Sequence, residues 1–275
     1  MNITIHPTAI VDPQARLADG VEVGAYALVE GPVTIGRGTR IWPHAYLCGP
    51  LTLGEQNQVH MGAVLGHAPQ HLAHQDSRGG TRIGARNVFR EYATVHRSMR
   101  DDGETVIGDD NFFMGFSHVA HDCVVGNQVI VANHALLAGH AVVEDQAFIS
   151  GHVAVHQFVR IGQLAMVGGI SRVNQDVPPF MLVKGDSEIW SLNLVGLRRA
   201  RTATAAMAQL KAAFKLLADG HARPQALAAL EQLTPRPPEL ERLIAFLKGA
   251  KRGYCTFHQA QGQEIAPEDP LDETA

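Results

Sequence analysis

Aromatic side chains are scarce in this 275-residue chain: two Trp, four Tyr and ten Phe make up 6% of it. That excludes a wide core built around rings. Together with 27 glycines it points to a narrow core filled by aliphatic and small side chains. Cysteine is scarcer still, at Cys48, Cys123 and Cys255 only. An odd, sparse set gives no disulfide framework and fits a reducing compartment, so a cytoplasmic location is expected. Long apolar runs are missing, and the N-terminus MNITIHPTAIVDP has no basic region. Neither a signal peptide nor membrane insertion is therefore expected. A basic excess is missing too: the net charge is −4, which argues against a nucleic-acid partner.

The charge is unevenly spread. Residues 1–195 carry 12 Lys/Arg against 18 Asp/Glu, residues 196–252 carry 11 against 4, and 253–275 hold five acids and no base. The middle segment is a basic patch inside an acidic protein. It reads either as a solvated helical surface or as a landing site for an acidic partner.

A beat of six organises the chain. From Ile107 every sixth residue is apolar through Phe113, Val119, Val125, Val131, Leu137, Val143, Ile149, Val155, Ile161 and Val167 to Val173. The same beat starts at Ile5 and runs to Leu65, then returns at Ile83, Phe89 and Val95. A helix repeats near 3.6 residues and a strand near 2, so a period of six means a solenoid of short strands and corners. Gly often follows the beat (Gly24, Gly36, Gly126), and a small residue often sits four after it (Cys123, Ala135, Ala141). Gly permits a sharp corner, and small side chains fit its interior. The beat breaks at 68–81 and at 97–105, two polar stretches that read as loops leaving the solenoid to build a cleft.

After Val173 the pattern stops, and Val177-Pro178-Pro179-Phe180 is a breaker. Met207, Leu210, Phe214 and Leu217 follow helical spacing, as do Leu227, Leu230 and Leu233, then Leu240, Leu243, Ile244 and Leu247. Gly220 ends the first of these helices and Pro237-Pro238 starts the third. The expected organisation is a β-solenoid over 1–190, a helical domain over 191–257, and a disordered acidic tail over 258–275.

Six of the 15 histidines fall between residues 118 and 156: His118, His121, His134, His140, His152 and His156. Imidazole is the usual general base near neutral pH and also the commonest zinc ligand, and some of these residues must be structural. Composition leaves those three roles open.

The repeat resembles the hexapeptide-repeat family. The resemblance implies a left-handed parallel β-helix, a triangular prism in which three hexads make one coil of 18 residues. Asp122 would then lie beneath His140, and His134 beneath His152. A narrower resemblance rests on Met114-Gly-Phe-Ser-His-Val-Ala-His-Asp-Cys123, Leu137-Ala-Gly-His140, Ala154-Val-His-Gln-Phe158, Met166-Val-Gly-Gly169 and Gln175-Asp-Val-Pro-Pro179, in that order. It is similar to the family of UDP-N-acetylglucosamine O-acyltransferases that begin lipid A synthesis, over roughly residues 5–220.

That resemblance implies transfer of a 3-hydroxyacyl chain from acyl carrier protein to the 3-hydroxyl of UDP-N-acetylglucosamine. No cofactor and no metal is implied, since the acyl carrier protein is a co-substrate. His121 would be the general base and Asp122 its orienting partner. Neighbours on a strand point opposite ways, so that contact requires a corner. Gly139 would present its backbone N–H to the thioester oxygen. His118, His140, His156 and Gln157 match residues lining the substrate groove. Asn193 and Arg199 fall within the matching block Asn193…Gly196-Leu-Arg-Arg199, and His96 and Arg199 match the nucleotide end. Gly169 matches a position that sets acyl depth and leaves room for a longer chain. Members are homotrimers with the groove between subunits, and the basic helical segment would receive the acidic carrier protein.

The chain departs from the family pattern where Gln-Asp-Leu-Lys-Tyr is usual. Here the loop reads Gln70-His71-Leu72-Ala73-His74, and Val195 and Ala200 replace a Glu and an Arg. Drift with local compensation, His74 or Arg78 standing in, would look like this, and so would a relative acting on a different, nucleotide-sugar acceptor. A zinc enzyme on the same prism, resembling the gamma carbonic anhydrases, and a non-catalytic prism are the readings from other classes. Stoichiometric zinc would mark the first, and indifference to His121→Ala the second.

Overall fold

The computed structural model describes residues 2–74, 76–220, 222–250 and 253–258. Each apolar beat becomes the inward residue of a strand only two to five residues long, as in Phe112–Phe113, His118–Val119 and Val124–Val125. Successive strands turn a corner instead of pairing. Pairing partners lie one coil on: Phe112 aligns with Ile130, Ile130 with Phe148, and Phe148 with Met166. The result, among the described residues, is three walls of 12, 9 and 8 strands, parallel except for one hairpin near the end of the first, and up to Val173 each 18 residues out of step with itself where no excursion intervenes.

The walls enclose a thin core. Val119, Val125, Val131, Leu137 and Val143 are at most 1% exposed. Each such side chain contributes about 1.5–3 kcal/mol by leaving water. The two core rings Phe89 and Phe113 stack with centroids 4.8 Å apart. Cys123, Ala135 and Ala141 fill the corner interiors and are fully buried. The beat is looser at the first coil, where Ile5 is 45% exposed because no coil lies below it.

Both breaks in the beat are excursions. The first leaves after the strand Val64–His67 and rejoins at Gly80–Ile83; the second leaves after Thr94–His96 and rejoins at Glu104–Ile107. Each returns two residues earlier than the polar stretch suggests, because the returning ends pair with each other, Gly80 with Glu104 and Thr81 with Thr105.

The prism is closed by an antiparallel hairpin, Met181–Lys184 with Glu188–Leu192, and a short parallel strand, Thr256–Phe257. Among the described residues four helices follow the hairpin, where sequence periodicity indicates three. The additional one, α1 (Leu194–Arg199), is only six residues long, too short to show a period, and is capped by the Asn193 side chain. Then come α2 (Thr204–Ala218), α3 (Arg223–Glu231) and α4 (Pro238–Gly249). Gly220 beyond α2 sits at φ +74°, a left-handed conformation that glycine adopts without strain. Pro238 opens α4, where a missing N–H costs nothing. No helix among the described residues is long and apolar enough to cross a membrane. The tail expected to be disordered lies outside the described residues, apart from His258.

Candidate active site

One corner of the prism, between the wall carrying His118–Val119 and the wall carrying Val124–Val125, gathers His118, His121, His140 and His156. Asp122 occupies the turning position with φ +59°, in the left-handed region that Asp tolerates better than most residues. That turn sends its carboxylate back onto its neighbour, and His121 Nδ1 lies 2.8 Å from Asp122 Oδ2. A carboxylate only accepts hydrogen bonds. Nδ1 therefore carries a proton, so in the neutral tautomer the free lone pair is on Nε2.

The second excursion locks the carboxylate. Ser98 Oγ donates to Asp122 Oδ1 at 2.5 Å, and the Met99 N–H donates to Oδ2 at 3.1 Å. The Asp122 N–H donates to Thr105 Oγ1 at 2.7 Å, and the Arg100 guanidinium stands 3.7 Å from Oδ1. Burial pushes the Asp122 carboxyl upward, but the donors Ser98, His121 and Met99 outweigh it and hold the group below its ordinary value. Asp122 is thus a fixed anion, its side chain 5% exposed.

A cavity of about 300 Å³ opens beside His121. His96, His118 and His121 form its polar side, Ala120, Leu136 and Ala138 its apolar side, and Gly139 and Gln70 complete it. Burial, with smaller contributions from His96 and His121, pushes His118 down to about 4, so it is neutral at physiological pH. Its Nδ1 lies 2.8 Å from Thr94 Oγ1. His96 is lowered mainly by burial, and its Nδ1 donates to the Ala68 carbonyl at 2.5 Å. His140 is lowered mainly by burial, and its Nε2 lies 4.0 Å from Asp122 Oδ2. Among the described residues the Gly139 N–H has no hydrogen-bond partner, and it lines the cavity.

The structure brings together His121, Asp122, Gly139, His140, His118 and His96. His156 and Gln157 are exposed on the same corner one coil further on, about 4.8 Å along the prism axis. Gly169 is exposed on a different corner, 18 positions after Gly151. Asn193 is buried and structurally engaged: its Oδ1 accepts from the Gly196 N–H and its Nδ2 donates to the Leu164 carbonyl. Arg199 is exposed in the last turn of α1, with Val195 and Ala200 at either end of that helix. The expected stacks are present, with His134 on His152 at 4.8 Å and His140 above Asp122.

Sequence reasoning missed Ser98, Met99 and Thr105, the residues that hold Asp122. The one signal was their position in or at the returning end of an excursion next to the His cluster. The first excursion contributes Gln70 to the cavity and sets the His71 ring 6.0 Å from that of His121.

Residues 104–139 match the bacterial transferase hexapeptide family, and residues 176–255 match the second domain of UDP-N-acetylglucosamine O-acyltransferase. An acyl-[acyl-carrier-protein]–UDP-N-acetylglucosamine O-acyltransferase from Trichlorobacter lovleyi is 53% identical over 259 residues, 92% of this chain and 99% of the relative. This chain belongs to the UDP-N-acetylglucosamine O-acyltransferase family. A relative of the same name from Thermodesulfovibrio yellowstonii is 43% identical over 91% of this chain and 98% of its own length. The solved Francisella novicida UDP-N-acetylglucosamine acyltransferase superposes with a TM-score of 0.89 at 27% identity, covering 94% of this chain and 95% of that one. The Campylobacter jejuni UDP-N-acetylglucosamine acyltransferase does so at 0.87 and 34%, covering 93% and 100%.

Proposed function

We propose that the protein transfers an acyl chain from acyl carrier protein to UDP-N-acetylglucosamine, the reaction named for its relatives and the opening step of lipid A synthesis. The observation that carries this reading is the His121–Asp122 pair beside a half-apolar cavity, in a chain 53% identical to a protein so named. In this reading His121 Nε2 takes the proton of the sugar 3-hydroxyl as its oxygen attacks the thioester carbonyl. Asp122, anionic and fixed, stabilises the imidazolium. The Gly139 N–H donates to the oxyanion that develops on the carbonyl oxygen. Collapse expels the carrier-protein thiolate, which receives the proton from His121.

His118 and His140 flank the base, and Ala120, Leu136 and Ala138 supply an apolar wall for the acyl chain. His156, Gln157, His96, Gly169 and Arg199 belong to the same reading as contacts along the substrate groove, while Asn193 supports them indirectly by capping the helix that carries Arg199.

A homotrimer suits the prism. Tyr92, Phe116, His134 and His152 stack along one edge with centroids 4.8–5.1 Å apart. Tyr92 and Phe116 are 48% and 51% exposed, and Ile170 beyond them is 86% exposed. A second copy would cover such an edge and supply the other wall of the groove. Arg198, Arg199, Arg201, Lys211, Lys215 and Arg242 are exposed and form no ion pair among the described residues, which suits docking of an acidic carrier protein. A reducing cytoplasm accords with Cys48, Cys123 and Cys255, all of them free thiols.

The test is a mass-spectrometric assay with 3-hydroxyacyl carrier proteins of several lengths and UDP-N-acetylglucosamine. Product forms with the native protein, and His121→Ala lowers kcat by roughly 10²–10⁴ with the assembly intact. Near-native turnover by the variant would overturn the assignment.

A further inference from the structure

Three side chains at the catalytic corner converge in a second way. His121, Asp122 and His140 each offer one ligand atom, and the three atoms lie within 4.8 Å of one another. His121 Nδ1 and His140 Nε2 stand 2.8 and 4.0 Å from the same oxygen, Asp122 Oδ2. Tetrahedral ligands about 2.0–2.2 Å from a zinc ion stand roughly 3.3–3.6 Å apart, so small ring rotations bring all three into range. The side chains are 12%, 5% and 23% exposed, dry enough to favour a charged ligand set yet open to solvent.

We propose that His121, Asp122 and His140 form a reversible binding site for Zn²⁺ or a similar imidazole-seeking divalent ion, and that its occupancy switches acyl transfer off. The ion forms a bond to His121 Nδ1 and displaces the proton that Nδ1 donates to Asp122; that proton leaves to solvent. The imidazole keeps its Nε2 lone pair, but the adjacent cation makes it a weaker base. Asp122 then neutralises the metal instead of an imidazolium. The ion sits behind the base and not in the cavity, so it lowers kcat without competing with the nucleotide sugar. One neighbour tunes the site. The Arg100 guanidinium, 3.7 Å from Asp122 Oδ1, opposes a cation, and at 66% exposure its side chain can swing away.

The inhibitory half of this proposal rests on the transferase reading; the binding half does not. Co²⁺ is titrated into the purified full chain while its visible absorption is followed, and Zn²⁺ is then added as competitor. We expect one Co²⁺ per chain, displaced by Zn²⁺. Affinity should fall roughly tenfold or more in His140→Gln and in Asp122→Asn. It should rise in Arg100→Ala, where a like charge is removed. Circular dichroism confirms that each variant folds. In the acyl-transfer assay Zn²⁺ should lower kcat with KM for the sugar unchanged, and a chelator should restore it. Absence of stoichiometric Co²⁺ binding, or binding indifferent to both ligand substitutions, overturns the site. Binding without loss of turnover overturns the switch. A chain that binds Co²⁺ at these residues but transfers no acyl group would count against the transferase reading alone.

Discussion

A Cβ built on Gly139 would stand 2.5 Å from Cε1 and 2.8 Å from Nε2 of the His121 imidazole. The two residues occupy equivalent places on adjacent coils of the same corner, and the His140 N–H donates to the His121 carbonyl at 3.1 Å. The absence of a side chain at 139 is thus what gives the base its place.

Gly139→Ala should therefore disarm the enzyme without unfolding it. The methyl group displaces the imidazole from Asp122 and crowds the unpaired N–H. We expect kcat to fall at least about tenfold, near 1.4 kcal/mol of transition-state stabilisation, with little change in Tm. Steady-state kinetics with a thermal melt checks this.

Asp122→Asn keeps the shape but removes the charge. The amide can then present its NH₂ to the ring, so that Nε2 rather than Nδ1 carries the proton and the base is lost. kcat should fall by about 10²–10⁴ while KM for the nucleotide sugar changes little.

Ser98→Ala tests a positioning residue that never meets the substrate. Asp122 loses a donor that helps hold its carboxyl low, so its pKa rises. With its orienting carboxylate less firmly held, the base should turn over more slowly, kcat falling at least about tenfold with KM for the nucleotide sugar little changed. Stability should fall by about 1.5–3 kcal/mol, the range for a hydrogen bond to a charged group. Ser98→Thr should restore part of both.

Stability should decline in acid before the carboxylates titrate. The His118 imidazole is pushed down to about 4, chiefly by burial, whereas in the unfolded chain it titrates near its free value of about 6.5. Between those values the unfolded chain binds more protons, so stability rises with pH there. The contribution of His118 is complete above about 6.5 and lost as pH falls toward about 4. Asp122, whose folded pKa is lowered, contributes stability that is lost only below that window. Tm measured across the window should slope downward into acid, and His118→Phe should flatten the slope.

Much of this molecule was legible because its core is one-dimensional. A coil that buries one apolar side chain per hexad writes its period directly into the chain, and Val119, Leu137 and Val155 fall where the beat puts them. The need for a corner between His121 and Asp122 was legible too, since strand neighbours point apart, and the positive φ of Asp122 supplies it. The closing hairpin was not, because Met181–Lys184 and Glu188–Leu192 break the beat of six and pair antiparallel. Nor was α1, a single capped turn and a half. Ser98 was hidden for a different reason. Its contact with Asp122 spans 24 residues and depends on the path of a loop, and a lone serine in a polar stretch carries no pattern.

That loop path constrains how the chain can vary. Whole coils of 18 residues added or removed far from the His cluster would leave the local geometry of each remaining coil unchanged. The excursion between His96 and Glu104 has no such freedom, because its Ser98 hydroxyl and Met99 N–H must arrive at one carboxylate. Lengthening it by a single residue would withdraw both donors at once. A segment that looks like a surface insertion therefore behaves, under mutation, like part of the interior.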